Sequence, residues 1–381
     1  MTRPAAKGWC PGAYQPMMSG DGLVVRVRPI MARLTVEQTL GLCDLAQKYG
    51  SSLIDLTSRA NLQIRGVRSA DHEALLAELN ALKLLPDDPD LEARRNILIT
   101  PLWRAGDLTD GLAQQLYARL ADLPQLPAKF GFAIDTGPVP LLQDNSADIR
   151  LERCDEGILL RADGSEMGCL VAENEAISAA IQMAEWFADT GGQSSRRMAT
   201  HLKSVALPSD WNDTPGLKPA SSVTAGSNDF GTFYGAPFGQ IEAAQLAELV
   251  KTSGCVALRV TPWRLILTED AAPVPAAGLV TSPNDPLLAI SACPGAPLCT
   301  SASVKTRSLA RLIAGRTSAN LHISGCSKGC AHPRRSDVTL VGRDGRFDLV
   351  KNGLPWDEPS LTGLSENELA DNDLLDRIGE F

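Results

Sequence analysis

No run of about 18 consecutive apolar residues occurs in the chain, so the sequence predicts no membrane-spanning helix. Its start, Met1 to Met18, also lacks the apolar core of a secretory signal. Positive charge is in deficit. Lysine and arginine total 36 against 45 aspartates and glutamates, a net charge of -9, and no broad affinity for nucleic acid is expected. These shortages point to a reducing, cytoplasmic setting. Hydrophobic content of 44% over 381 residues is ordinary for a soluble globular chain and is enough for roughly two or three domains.

Cysteine is what the chain does have. Nine is an odd number, and four of them fall in two close pairs, which argues for a metal rather than for disulfides. Five residues separate Cys293 from Cys299, and three separate Cys326 from Cys330. Between the pairs lies a helix-like run and a short strand, a return that brings two thiol-bearing loops together. Four soft, anionic thiolates suit an iron–sulfur cube. Pro294, Gly295, Gly325 and Gly329 let the chain pass close to a bulky core. Spacing alone leaves two other readings open. One is zinc, although the five-residue gap is loose for it; the other is four buried, unligated thiols.

The rest of the chain reads as α+β. A strand over 22–28 sets Val25 and Val27 on one face and Arg26 and Arg28 on the other. Thr35, with Gln38 three residues later, forms a capping box for a helix that ends at Gly50. Residues 53–67 read as a hairpin turning at Ser58 to Asn61, and a helix follows over 70–84. A second unit then holds a strand at 95–100, a helix at 109–123, strands at 128–135, 148–153 and 157–162, and a helix at 173–187. Residues 189–229, rich in Gly, Ser, Asp and Pro, read as a linker or surface excursion. After them the order restarts. Residues 256–268 echo the hairpin at 53–67, 287–292 echo the strand at 96–100, 303–313 echo the helix at 109–123, and 320–326 echo 128–135. The expectation is an internal duplication into two pseudo-symmetric halves with mixed sheets, flanking helices and a cleft between them. Its parts are a half-domain over 1–92 paired with one over 230–285, a body domain over 93–205, a linker over 206–229, and a second body domain over 286–381 that carries the four cysteines. Cys10, in the Cys-Pro-Gly-Ala that recurs at 293–296, is a lone thiol and is expected to be structural.

Arg26, Arg28, Arg59, Arg65, Arg95 and Lys129 recur in strands or strand turns of a net acidic chain. Single cations there are often solvated, but as a set they suit a ligand with many carboxylates, because the arginine fork binds carboxylate through paired hydrogen bonds.

The Cys-x5-Cys and Cys-x3-Cys pair resembles the cluster signature of the sulfite and nitrite reductase superfamily. His-Ile-Ser-Gly-Cys-Ser-Lys-Gly-Cys-Ala-His-Pro (322–333), Cys-Pro-Gly-Ala (10–13) and Thr-Pro-Trp-Arg (261–264) resemble its cobalamin-pathway branch, the precorrin-3B synthases. The resemblance covers most of the chain and implies the duplicated sulfite/nitrite reductase-like fold, with ferredoxin-like half-domains. It implies a 4Fe-4S cluster on Cys293, Cys299, Cys326 and Cys330. It places Arg26 or Arg28 near a bound anion, Arg95 as a second such arginine, Arg59 in a tetrapyrrole-contacting turn, and Lys129 as the first of two lysines. Gly131 stands where the second lysine would be. In the reductases the tetrapyrrole is siroheme, which the last cysteine, here Cys330, also touches. In the branch it is the substrate, precorrin-3A. There dioxygen hydroxylates a meso carbon, an acetate closes a lactone, and a separate non-haem iron takes part, with electrons from an external donor such as a reduced pyridine nucleotide through a reductase or ferredoxin. Two His and one carboxylate are common ligands for such iron, and the chain offers His72, His201, His322 and His332, of which His322 and His332 flank the cysteine loops. The implied activity is thus an O2-dependent tetrapyrrole monooxygenase; the alternative is a siroheme sulfite or nitrite reductase, disfavoured by the missing lysine.

Overall fold

The computed structural model describes residues 11–218, 223–317 and 319–370. Cys10 lies outside the described residues. The first helix shows how closely local chemistry dictates an element. Thr35 Oγ accepts from the Gln38 N–H at 3.1 Å, while Gln38 Oε1 accepts from the Thr35 N–H at 3.0 Å. That reciprocal box starts the helix Val36–Tyr49, and Gly50 caps its end. Leu42, Leu45 and Ala46 are its buried stripe.

The hairpin patterns assemble into two antiparallel sheets of five strands. One runs in the order Met17–Ser19, Gly22–Val27, Leu62–Val67, Leu53–Leu56, Gln240–Glu242. The other runs Gly226–Asn228, Gly231–Gly235, Leu265–Glu269, Ala257–Val260, Arg33–Thr35. Each sheet borrows its last strand from the other half of the chain. Gln240 lies opposite Asp55, and Arg33 opposite Arg259. A single core therefore runs through both, with Leu42, Ile54 and Ile64 packed in one cluster with Tyr234, Leu246 and Ile266.

Two body sheets complete the fold. In the first, Ile97–Ile99, Phe132–Asp135 and Ile149–Cys154 are parallel, and Gly157–Ala162, Met167–Val171 and Thr214–Pro215 follow antiparallel. In the second, Ile290–Ala292, Leu321–Ser324 and Ser336–Arg343 are parallel, with Arg346–Gly353 and Leu361–Leu364 antiparallel. Each body has its own apolar core.

The repeat extends to unusual backbone. Met31 and Phe238 take positive φ (56° and 60°) at matching turns, as do Ala60 and Arg264 (52° and 63°). Thr57 Oγ accepts from the Arg59 N–H and Thr261 Oγ from the Trp263 N–H, both at 3.3 Å. Within 189–229 the chain forms short helices at Gly192–Ser195 and Met198–His201 and contributes the edge strands Thr214–Pro215 and Gly226–Asn228. Among the described residues no helix is long and apolar enough to cross a membrane.

Candidate iron–sulfur site and basic corner

In the second body, the parallel register sets Ala292 beside Ile323, so both strands end at the same edge. The loops that follow carry the two cysteine pairs and lie side by side. The Cys293 N–H donates to Ile323 O at 3.3 Å, and the Gly325 N–H donates to Cys293 Sγ at 3.1 Å. The Ser303 N–H donates to Gly325 O at 3.3 Å, and Lys328 Nζ donates to Ser301 Oγ at 2.8 Å. The approach is close enough to require glycine. A Cβ on Gly325 would meet Ala302 Cβ at 2.5 Å, and one on Gly295 would meet Thr306 Oγ1 at 2.6 Å.

Exposure is graded across the four thiols: Cys293 is buried, Cys299 and Cys326 are half-buried, and Cys330 is exposed. Burial pushes the Cys293 thiol above its ordinary pKa, and Cys299 and Cys326 push it further. Cys330 is raised by burial of its sulfur and then by Cys293, Cys326 and Cys299. Cys293 and Cys330 are thus harder to ionise than an ordinary cysteine. Among the described residues no three His, Cys, Asp or Glu side chains are grouped as around one metal ion. Four thiols on two adjoining loops are the donor number that an iron–sulfur cube takes, one thiolate at each corner, and also that of a structural zinc ion. The donor set and the N–H on sulfur fit such a cluster.

The first half keeps the architecture without the thiols. Thr100 stands just after Ile97–Ile99, where Cys293 follows Ile290–Ala292. Asp135 stands where Ser324 does. It is fully buried, accepts from the Leu141 and Leu142 N–H groups at 2.6 and 2.7 Å, and burial pushes its pKa up to about 6.

The basic residues divide into two groups. Arg28 is buried in an ion pair with Glu92, and Arg95 donates to Arg28 O at 2.7 Å. Arg26 is buried opposite Gln63, against that side-chain amide. Arg59 and Lys129 are half-buried at a common corner, where Arg59 donates to Lys129 O at 2.8 Å and to Ser146 Oγ at 3.0 Å. Arg334, four residues beyond Cys330, donates to Asp144 O at 3.1 Å and so ties the cysteine loop to that corner. Position 131 is closed to a side chain: a Cβ on Gly131 would meet the Asn96 carbonyl oxygen at 2.7 Å.

His322 and His332 lie beside the thiols with ring centroids 5.8 Å apart. His322 is fully buried, neither ring nitrogen has a partner, and burial, then His332, push its pKa down to about 4. With no third ligand grouped with them among the described residues, they do not make up a two-His, one-carboxylate set. His201 is bonded to Thr190 and Ser195, and His72 to Ala13 O. Cavities of about 410 and 250 Å³ occur elsewhere, and neither is lined by an expected site residue.

Sequence reasoning missed the contacts behind the cysteine loop. Ser19 Oγ, the Gly20 N–H and Arg65 Nη2 all donate to Leu298 O, at 2.7, 3.2 and 3.2 Å. Arg65 also binds Asp21 and Asp55, and Arg307 lies 3.6 Å from Asp55. These join residues up to 279 positions apart, and the only local signal was a helix start with cations and no acid.

Sheet order, exchanged strands and paired thiol loops define a sulfite/nitrite reductase-like fold. Residues 15–82 match the nitrite/sulfite reductase ferredoxin-like half domain. The structure of the Mycobacterium tuberculosis NirA protein superposes with a TM-score of 0.59 at 16% identity, over 91% of this chain and 79% of that one. A Synechococcus elongatus ferredoxin–nitrite reductase is 25% identical over 97% of this chain and 89% of its own length. A precorrin-3B synthase from a Sinorhizobium species is 30% identical over 93% of this chain and 84% of its own. The chain belongs to the precorrin-3B synthase family.

Proposed function

We propose that this protein is an oxidoreductase acting on a tetrapyrrole: an O2-dependent monooxygenase that hydroxylates precorrin-3A at a meso carbon, with closure of a lactone by a side-chain acetate. The observation that carries this reading against anion reduction is Gly131. The second lysine of a reductase site cannot be fitted there without moving the Asn96 backbone. That leaves a basic corner suited to carboxylates and without the paired lysines that an anion would need for protons and charge.

In this reading Cys293, Cys299, Cys326 and Cys330 hold a 4Fe-4S cluster. When bound, the cluster supplies single electrons drawn from an external donor. Arg59 and Lys129 receive carboxylates of the macrocycle at the corner they share, with Arg26 on the neighbouring strand. Arg28, charge-neutralised by Glu92, and Arg95, which grips the Arg28 carbonyl, hold the strand end that shapes this wall. One oxygen atom of O2 enters the product, and the other leaves as water with two electrons and two protons. No step is assigned to a second iron, since the two histidines beside the thiols lack a grouped third ligand.

The test is aerobic incubation of anaerobically reconstituted protein with precorrin-3A and a reductant. A product heavier by one oxygen atom, labelled from 18O2 but not from labelled water, is expected. Siroheme bands in the purified protein, with sulfite or nitrite turnover and unchanged precorrin-3A, would overturn the proposal.

A further inference from the structure

The two halves carry the same buried ionic layout with the charges reversed. In the first sheet Asp55 pairs with Arg65 at 3.1 Å. At the matching positions of the second sheet Arg259 pairs with Glu269 at 2.7 Å. The body helices follow suit. Thr109-Asp110 opens the helix Leu108–Ala118, and Thr306-Arg307 opens Thr306–Ile313. Asp110 is ordinary there, because an acid in the first turn satisfies free N–H groups and the helix dipole. It accepts from the Gly106 N–H and from Gln114 Nε2, both at 2.7 Å, and lines the larger cavity with Arg33 and Glu269.

Arg307 is not ordinary. A cation in the first turn opposes the dipole, and this helix has no acid there to offset it. The guanidinium is mostly buried, with 14% of its side-chain surface exposed, and its Nε and one Nη have no hydrogen-bond partner. Its nearest carboxylate, Asp55 at 3.6 Å, is already bonded to Arg65 and Gln240. Asp21, in turn, holds the other side of Arg65. A buried row Asp21–Arg65–Asp55–Arg307 therefore ends in a cation with spare donors. Thr306, the neighbour of Arg307, donates to Cys293 O at 2.5 Å, which sets the start of this helix against the thiol loop. An unsatisfied buried cation with spare donors is costly unless an anion meets it. In the second half the anion available is a thiolate-bound cluster, and the first half, with Thr100 in place of Cys293, has an acid instead.

We propose that Arg307 is the cation that balances the charge of the iron–sulfur cluster, held in place by Asp21, Arg65 and Asp55, and that it raises the cluster's reduction potential. The inference rests on the cluster reading above. The potential of such clusters follows local charge and hydrogen bonding, and a nearby cation favours the reduced, more negative state.

The experiment compares wild type, Arg307→Gln and Arg307→Lys by iron and sulfide content and by redox titration followed by electron paramagnetic resonance. With clusters intact, the Gln variant should show a more negative midpoint, and the Lys variant should recover most of the difference. Loss of the cluster from the Gln variant alone, with full content in the Lys variant, supports the same charge role. An unmoved midpoint in a fully loaded Gln variant overturns the inference and leaves the cluster reading standing, as does equal cluster loss from both variants, which would make Arg307 a packing residue. Wild-type protein without iron and sulfide after reconstitution would refute the cluster reading itself, and the inference with it.

Discussion

Asp135 shows what one residue does when a site's architecture is kept and its chemistry changed. Its carboxyl is buried in the first body, with one oxygen bonded to two N–H groups and the other unpartnered. Burial lifts its folded-state pKa to about 6 from the ordinary 3.8. The folded protein therefore binds this proton more tightly than the unfolded chain does. The sign is fixed: stability is fully present below about pH 4 and falls as pH rises towards about 6, by roughly 3 kcal/mol at most. Asp135→Asn keeps an acceptor for Leu141 and Leu142 and removes the titration. Urea unfolding of both proteins should show the variant's relative stability rising between pH 4 and pH 7. A constant difference across that range would contradict the assignment. No local pattern marks Asp135 in the sequence, because its burial depends on a loop that folds back over it.

Elements divide by how local their causes are. The helix Val36–Tyr49 was legible to the residue, since Thr35, Gln38 and Gly50 are contiguous chemistry. Removing the cap with Thr35→Ala should cost about 1 kcal/mol, read as a lower urea midpoint at unchanged slope. The hairpin at 53–67 and the parallel body strands were legible from alternation and apolar runs. The exchanged strands Arg33–Thr35 and Gln240–Glu242 were not. Three residues set no period, and their partners lie in the other half of the chain. Met167–Val171 and the edge strands within 189–229 were missed for a related reason, because sheet-edge pairing tolerates glycine and proline that read locally as loop.

At the scale of the molecule, strand exchange makes the two five-stranded antiparallel sheets a single folding unit. The core through Ile54, Leu42, Tyr234 and Ile266 belongs to neither alone. A fragment of residues 1–92 should thus show no cooperative unfolding transition, while mixing it with a fragment of residues 230–285 should restore one. Cooperative unfolding of the first fragment by itself would show that the shared core is dispensable. The same construction brings the hairpin at Ser19 and Gly20 against Leu298, so the base of the candidate cluster loop rests on the opposite half of the chain.

The sequence by itself singled out the four paired thiols and the repeat. Thiol spacing, glycines beside the thiols, helix caps and the recurring order of elements are all written within a few tens of residues. Only the tertiary structure decided which cations are spent inside the protein, as Arg28 is on Glu92, and which sit at a shared corner, as Arg59 and Lys129 do. Only it showed that position 131 is closed by a carbonyl and that Arg307 ends a row of alternating charge. The reason is physical. Whether a charge is available depends on what lies across a sheet or between halves, and those neighbours are up to 279 residues away along the chain.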